Sequence, residues 1–234
     1  MLSWTSLTHL GDTSMMAPAA FLIGLWLLAA RRHYLLWWWC VLLTLALTLV
    51  ALTKIAFLGW GFGIPALNFT GISGHSTFAM AVLPVMVFLL LYRYPAPLRA
   101  IGVGAALALG VLVGMSRLAL SLHSHAEVVA GCVLGALVSL GFIWVASSTH
   151  RARLNRTLVA LSLGVLFAAS FAQAAPTQNW FIRVALYLSG HEQPFVRSHA
   201  SRVATNPPLP ARPALFRFPA ATDTKTHEKL PVDY

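Results

Sequence analysis

The sequence predicts an all-α fold, a polytopic membrane helix bundle of about six transmembrane helices. In bulk composition, 58% of the residues are hydrophobic and only 9% are charged, and the mean hydropathy is +0.74. Soluble globular domains are usually about 45–50% apolar with about 25% charge. In addition, the apolar residues are grouped into stretches close to the roughly 20 residues that a helix needs to cross a bilayer. Together these observations favour an integral membrane protein.

The apolar stretches divide the chain into three parts. They lie at residues 14–30, 34–53, 76–92, 98–116, 126–148 and 157–174. A polar N-terminal segment, 1–13, precedes this membrane bundle of 14–175, and Asp12 or Thr13 is expected to cap the first membrane helix. The tail, 176–234, contains eight of the 13 prolines and is basic. We expect it to be largely disordered, apart from a short interfacial helix at 179–189.

The stretch from Arg151 to Ala175 permits a second interpretation. Its basic residues, apolar centre and Ala172-Gln173-Ala174 run also resemble a secretory signal that is cleaved after Ala174. We adopt the alternative, a sixth membrane helix that ends in small residues. Both interpretations place the tail outside the cytoplasm.

The distribution of arginines predicts the orientation of the bundle. Loops on one side carry seven of them: Arg31, Arg32, Arg93, Arg99, Arg151, Arg153 and Arg156. Because positively charged loops stay in the cytoplasm, both termini are predicted to be extracytoplasmic. The basic loops also account for much of the net charge of +10, so we expect membrane lipids and no nucleic acid as partners.

Several ionisable residues occur near the ends of different predicted helices. Lys54 ends the second helix, His75 opens the third, Arg117 ends the fourth, and the segment from His123 to Glu127 opens the fifth. An up-down bundle brings all of these ends to one face of the membrane. Ionisable residues at membrane depth are by default candidates for function.

Two histidines and an acid suggest acid–base and nucleophilic chemistry. His123 and Glu127 are four residues apart, a spacing that would place them on one helical face, where the carboxylate can fix the imidazole tautomer. This is one half of an activated nucleophile. His75 remains available to protonate a leaving oxygen.

The neighbouring residues suggest a phosphate as the group that reacts. Arg117 and Lys54 supply cations, and arginine offers a bidentate fork to phosphate oxygens. Gly74, next to Ser73 at a helix start, lets backbone N–H groups approach an anion that the helix dipole also favours.

The motifs Ser73-Gly74-His75 and Ser116-Arg117-x5-His123-x3-Glu127 resemble those of the type 2 phosphatidic acid phosphatase superfamily. That superfamily includes lipid phosphate phosphatases, undecaprenyl pyrophosphate phosphatases and, more remotely, vanadium haloperoxidases. Its pattern is Lys-x6-Arg-Pro, then Pro-Ser-Gly-His, then Ser-Arg-x5-His-x3-Asp. The resemblance covers about residues 10–148 and includes the segment Thr-His-Leu-Gly-Asp-Thr before the first apolar stretch.

The resemblance implies a role for each matching residue. His123 would attack phosphorus to form a phosphohistidine, Glu127 would activate it, and His75 would protonate the leaving group and later help to activate water. The phosphoryl oxygens would be held by Lys54, Ser73, Gly74, Ser116 and Arg117. No metal or other cofactor is implied. A phosphorylated lipid would be cleaved on the extracytoplasmic face of a membrane, which we expect to be a bacterial inner membrane.

The sequence departs from the family pattern at three places. Gly61-Phe62 stands where the family has Arg-Pro, Ile72 replaces a proline, and Glu127 replaces an aspartate. These departures leave open a catalytically weakened member that binds a phosphorylated lipid or a partner without turnover. A phosphoryl transferase would use the same residues. A metal or haem carrier that uses His75 and His123 is a further alternative.

Two residues also have simpler explanations. Lys54 at a helix end could extend to the lipid headgroups without any role in binding phosphate. The Ser116 hydroxyl could bond its own helix backbone.

Overall fold

The computed structural model describes residues 4–149, 156–169 and 177–196. Regular secondary structure in this part of the chain is helical, which confirms the predicted all-α class. The α-helices are α1 (Trp4–Leu10), α2 (Thr13–Ala29), α3 (His33–Trp60), α4 (Gly74–Leu90), α5 (Ala96–Ala119), α6 (His125–Ser147), α7 (Arg156–Ala169) and α8 (Thr177–Ser189). A short 3-10 helix, Pro65–Leu67, lies between α3 and α4.

Four helical segments within the described residues are long and apolar enough to cross a membrane: Trp4–Ala29, His33–Trp60, Ala96–Ala119 and His125–Ser147. Gly74–Leu90 is a shorter apolar helix. Five of the six predicted stretches correspond to α2 to α6, and the sixth overlaps α7. The proposed cleavage after Ala174 and most of the tail lie outside the described residues.

Helix α4 is the centre of the bundle and packs against α2, α3, α5 and α6. Its closest neighbour is α6, where Gly131 and Gly135 face the α4 backbone. A Cβ atom on Gly131 would lie 2.6 Å from the Ser73 carbonyl oxygen. A Cβ atom on Gly135 would overlap the Thr77 carbonyl oxygen. Small residues at such an interface let two helix backbones approach closely. This contact brings the first turns of α4 and α6 together.

Polar contacts join helices within the apolar core. The Trp26 indole N–H donates to the Ser162 hydroxyl at 2.9 Å, which ties α2 to α7. The Trp39 indole N–H donates to the Ala20 carbonyl at 3.1 Å, which ties α3 to α2. Buried indole groups need such partners because an unpaired donor is costly away from water.

Helix α3 is longer than its predicted counterpart, 34–53. The residues after Lys54 remain apolar, the helix continues through Gly59, and Gly61 ends it in the left-handed conformation at φ 72°. Lys54 therefore lies inside α3, and its predicted position at the helix end is wrong. The start of α2 follows the prediction, because the Asp12 carboxylate accepts a 2.9 Å hydrogen bond from the Ser14 N–H.

Helix α8 spans the predicted short helix at 179–189 and packs along α3. Gly59 permits this contact, since a Cβ atom there would lie 3.2 Å from the Ala185 carbonyl oxygen. After α8, His191 bonds the Gly59 carbonyl at 2.9 Å, and the Phe195 N–H donates to the Leu58 carbonyl at 2.9 Å. The C-terminal half of α3 is therefore covered by α8 and the segment after it.

Candidate active site

His123 and Glu127 form the shortest polar contact between two candidate residues. His123 Nδ1 lies 2.7 Å from Glu127 Oε2. Helix α6 begins at His125, so His123 precedes the helix and the predicted shared helical face is wrong. The contact forms instead because Glu127 reaches back over the helix start in a capping box. Its Oε2 accepts from the Ser124 N–H at 3.0 Å, and the Ser124 hydroxyl accepts from the Glu127 N–H at 3.4 Å.

Thr70 holds the other oxygen of the Glu127 carboxylate. The Thr70 N–H and hydroxyl donate to Oε1 at 2.7 and 2.6 Å, and Glu127 is fully buried. Donors surround the carboxylate on both oxygens, an arrangement that favours its ionised form. An ionised acceptor at Nδ1 keeps the His123 proton on that nitrogen and leaves the lone pair on Nε2. The extra methylene of glutamate is thus compatible with the contact to the histidine.

His75 lies in the first turn of α4, as predicted, and its Nε2 is 3.4 Å from Asp12 Oδ2. This is an ion-pair distance and is longer than a well-formed hydrogen bond. Ser73 occupies the N-cap position of α4, and its hydroxyl pairs with that of Ser76 at 2.9 Å. The Ser73 N–H donates to the Glu127 carbonyl at 3.1 Å. That bond joins the start of α4, which carries His75, to the start of α6, which carries Glu127.

Arg117 presents a buried donor that is unsatisfied. Its Nη1 donates to the Thr8 hydroxyl at 2.9 Å. Its Nε is buried and has no hydrogen-bond partner among the described residues. Buried donors are rarely left unpaired, and exceptions often mark sites that bind a ligand or an ion. A phosphate oxygen is an acceptor of the kind that a guanidinium prefers.

Lys54 belongs to the same group although it lies inside α3. Its ammonium lies 5.2 Å from the centroid of the Phe181 ring of α8. It interacts electrostatically with Arg117 and Glu127, and His123 interacts with both cations. The structure therefore brings together the ionisable residues that the sequence predicted to converge.

Three other candidate positions are less closely tied to this group. The Ser116 hydroxyl is buried and donates to the Val113 carbonyl at 2.6 Å, which is the local backbone bond considered as its alternative. A Cβ atom on Gly74 would meet only Val50, at an ordinary 3.7 Å, so no protein neighbour requires a glycine there. Gly61 caps α3, and the Phe62 side chain is 71% exposed, where the family pattern has Arg-Pro.

Burial lowers the pKa of His123, although its hydrogen bond to Glu127 acts in the opposite direction. The neutral imidazole, which is the nucleophilic form, is therefore retained to lower pH than in an exposed histidine. His125, two residues further on, is exposed.

Sequence reasoning missed three residues that contact the predicted site residues: Thr8, Asp12 and Thr70. Asp12 was predicted only as a helix cap. It lies in the segment Thr-His-Leu-Gly-Asp-Thr, whose similarity to family members could have indicated a further role. Thr70 lies in the connection between α3 and α4, where no periodic pattern indicates which side chain turns inward. Among the described residues, no group of three His, Cys, Asp or Glu side chains is arranged to hold a metal ion.

Comparisons with known proteins agree with the motifs. The model of the PAP2 superfamily matches residues 57–152, a range that begins just after Lys54 and includes the other candidate residues. An uncharacterized 22.5 kDa protein in the cps region of Klebsiella pneumoniae is 32% identical over 211 residues, covering 87% of this chain and 100% of the relative. No solved structure matches.

Proposed function

This chain belongs to the PAP2 superfamily, and from that premise we propose that it is an integral membrane phosphatase that hydrolyses a lipid phosphate or diphosphate. One observation carries the proposal: His123, held by the buried Glu127 carboxylate, interacts with Arg117, whose buried Nε is an unsatisfied donor. A nucleophile with a fixed tautomer beside a free anion donor is the arrangement that phosphoryl transfer needs.

In the first step, the His123 Nε2 lone pair attacks phosphorus and the bond from phosphorus to the leaving oxygen breaks. Glu127 stabilises the positive charge that develops on the imidazole, because its Oε2 lies 2.7 Å from Nδ1. His75 transfers a proton to the leaving oxygen, which departs as an alcohol or as a lipid monophosphate. The product is a phosphohistidine on His123.

Negative charge on the three transferring oxygens is stabilised by fixed donors and cations. Arg117 and Lys54 supply positive charge, and the first turn of α4, which begins at Gly74, supplies backbone N–H groups and a favourable dipole. Arg117 and the start of α4 lie at the ends of apolar helices, and Lys54 lies inside α3. Apolar surroundings of low dielectric strengthen each interaction.

In the second step, water attacks the phosphohistidine. His75, now neutral, accepts a proton from the water as the new phosphorus–oxygen bond forms and the bond to Nε2 breaks. Inorganic phosphate is released, and both histidines return to their starting protonation states. The chemistry uses groups of this chain and requires no metal ion.

We place this reaction on the extracytoplasmic face, in a bacterial inner membrane. The support is the distribution of arginines, since Arg31, Arg32 and Arg93 follow α2 and α4 at the ends opposite to His75. A lipid substrate fits because His75 and Glu127 lie in the first turns of apolar helices, the level at which headgroup phosphates occur.

Release of inorganic phosphate by the purified protein in lipid vesicles tests the function. We expect turnover of a phosphatidic acid or an isoprenyl diphosphate, its loss in His123→Ala, and its retention in His125→Ala. The second variant is a matched control, because His125 is an exposed histidine of the same helix start. Rapid quenching in an alkaline denaturant should trap phosphate on the wild type in a form that is stable to alkali and labile to acid. Equal and slow release by the wild type and His123→Ala would refute the enzymatic function.

A specific observation also favours a second candidate, a member that binds a phosphorylated lipid without turnover. Position 61 is a glycine in the left-handed conformation and position 62 an exposed phenylalanine, so the phosphate-binding arginine of the first family motif is absent. This candidate predicts binding of phosphatidic acid vesicles that depends on Arg117 and Lys54, with no phosphate released. Multiple turnovers would exclude it.

A further inference from the structure

The N-terminal segment from Thr8 to Asp12 packs against the proposed catalytic residues. The Thr8 hydroxyl accepts from Arg117 Nη1 at 2.9 Å. A Cβ atom on Gly11 would lie 3.2 Å from the His75 carbonyl oxygen and 3.4 Å from its Cβ, so the glycine allows this close approach. Asp12 then lies 3.4 Å from His75 Nε2. Three of five consecutive residues thus contact Arg117 or His75.

Asp12 is a buried carboxylate whose two oxygens face different groups. Oδ1 accepts from the Ser14 N–H at 2.9 Å and caps α2, whereas Oδ2 faces the His75 ring. Asp12 is only 8% exposed. A buried carboxylate is stable only when charge or hydrogen bonds compensate for its lost hydration. Helix capping uses one oxygen, the other lies beside His75, and the carboxylate also acts on the Arg117 charge.

The charges around His75 indicate a function for Asp12 Oδ2. Arg117 and Lys54 act on His75 as positive charges, and Asp12 is the group that acts on it with negative charge. A histidine that donates a proton to a leaving group must be protonated at that moment. Beside two cations, such an imidazolium requires a counter-charge.

We propose that Asp12 is a positioning residue for His75, an inference that rests on the proposed phosphatase function. The Asp12 carboxylate faces the Nε2–H group of His75 at an ion-pair distance of 3.4 Å, and this orients the ring so that Nδ1 carries the proton that is delivered. When the bond from phosphorus to the leaving oxygen breaks, the Nδ1 proton moves to that oxygen. In the hydrolytic step the same nitrogen takes a proton from water. Asp12 stays ionised throughout and contacts neither substrate nor water.

The dependence of the rate on the leaving group separates this role from helix capping. Protonation matters greatly for an alkyl phosphate, whose leaving alkoxide is strongly basic, and little for p-nitrophenyl phosphate. General acid catalysis contributes about 10²- to 10⁴-fold when it is needed. Asp12→Asn and Asp12→Ser are the appropriate variants, since asparagine and serine both cap helices well but carry no charge.

We expect both variants to keep the wild-type melting temperature within a few degrees. Their kcat should fall at least about tenfold more for a short-chain alkyl phosphate than for p-nitrophenyl phosphate. His75→Gln should show the same selective loss, and the double variant with Asp12→Asn should lose little more than His75→Gln alone, because the two residues act as a unit. Asp12→Glu, which retains the carboxylate, should recover part of the alkyl phosphate activity.

Equal losses on the two substrates, or additive losses in the double variant, would overturn the positioning role and leave the phosphatase function intact. The absence of phosphate release from either substrate by the wild type is a different result. It overturns the proposed function, and the role of Asp12 falls with it.

Discussion

Replacement of Glu127 by glutamine tests the central contact of the proposed mechanism. The carboxylate accepts from the Thr70 N–H and hydroxyl on one oxygen and from the Ser124 N–H and His123 Nδ1 on the other. A glutamine side chain has one acceptor oxygen and one NH₂ group. If its oxygen faces Thr70, its NH₂ group faces Ser124 and His123, where it meets donors.

His123 can relieve this conflict only by moving its proton to Nε2, so that Nδ1 accepts from the amide. That tautomer has no lone pair on Nε2 and cannot attack phosphorus. If the amide turns the other way, the Thr70 N–H loses its acceptor in a partly buried position. Either orientation disables the nucleophile or destabilises the fold around it.

The size of the effect follows from the bonds that are lost. A hydrogen bond to a charged group contributes about 1.5–3 kcal/mol, and a buried donor left unsatisfied costs about 1–3 kcal/mol. Together they predict a loss of transition-state stabilisation of about 2.5–6 kcal/mol. At about 1.4 kcal/mol per factor of ten, kcat should fall roughly 10²- to 10⁴-fold.

The assay is single-turnover formation of the phosphoenzyme, measured by a rapid alkaline denaturing quench with a radiolabelled lipid phosphate. It reports attack by His123 separately from later hydrolysis and product release. Glu127→Asp is the informative companion, because it keeps the charge but shortens the side chain by one methylene. We expect it to lose about tenfold, since one aspartate cannot keep both the His123 and the Thr70 contacts. His125→Ala controls for general disturbance of the α6 start.

A phosphoenzyme rate in Glu127→Gln within about threefold of wild type, less than 1 kcal/mol, would refute this reasoning. It would mean that the buried carboxylate supports the fold of the α6 start and does not set the tautomer of His123. A melting temperature matching wild type in a variant that forms no phosphoenzyme would instead agree with a chemical role.

Four further outcomes are expected. Because burial lowers the pKa of His123 and the neutral ring is the nucleophile, kcat/KM should fall with decreasing pH only below about 6.5; an acid limb above that value contradicts the assignment. Thr70→Val keeps the backbone bond to Glu127 but removes the hydroxyl bond, and should lower kcat about tenfold, with Thr70→Ser as the control. Arg117→Lys keeps the charge but loses the guanidinium fork, so KM for a lipid phosphate should rise about tenfold; an unchanged KM would exclude a direct phosphate contact. A reporter active only outside the cytoplasm should work when fused after Pro176 and fail when fused after Arg151; the reverse result would invert the proposed orientation.

Much of the fold was predictable because membrane helices carry strong local signals. The apolar stretches gave the positions of α2 to α6 within a few residues, except at the end of α3. That helix continues because apolar residues follow Lys54 until Gly61 adopts the left-handed conformation. Lys54 was predicted to end the helix because it is charged. Its side chain lies instead beside the Phe181 ring of α8, a contact between distant parts of the chain.

The candidate site was predictable where its residues share a motif. His75, Arg117, His123 and Glu127 were named from their spacing, and the structure brings them together. The geometry of the pair was wrong in detail, because His123 precedes α6 and the contact depends on a capping box. Spacing along the chain sets which residues can meet, but not the backbone conformation in which they meet.

The sequence by itself therefore determined the class of protein, the helices and the residue types available for phosphate chemistry, since these depend on composition and local pattern. Only the tertiary structure decided which groups support them. Thr70 reaches the Glu127 carboxylate across 57 positions of sequence, and Asp12 reaches His75 from the N-terminal segment. Such contacts depend on how closely α4 packs against α6 and on how the segment before α2 folds over α5. Burial then turns these polar contacts into strong ones, because a carboxylate removed from water must be satisfied by the groups that the fold places around it.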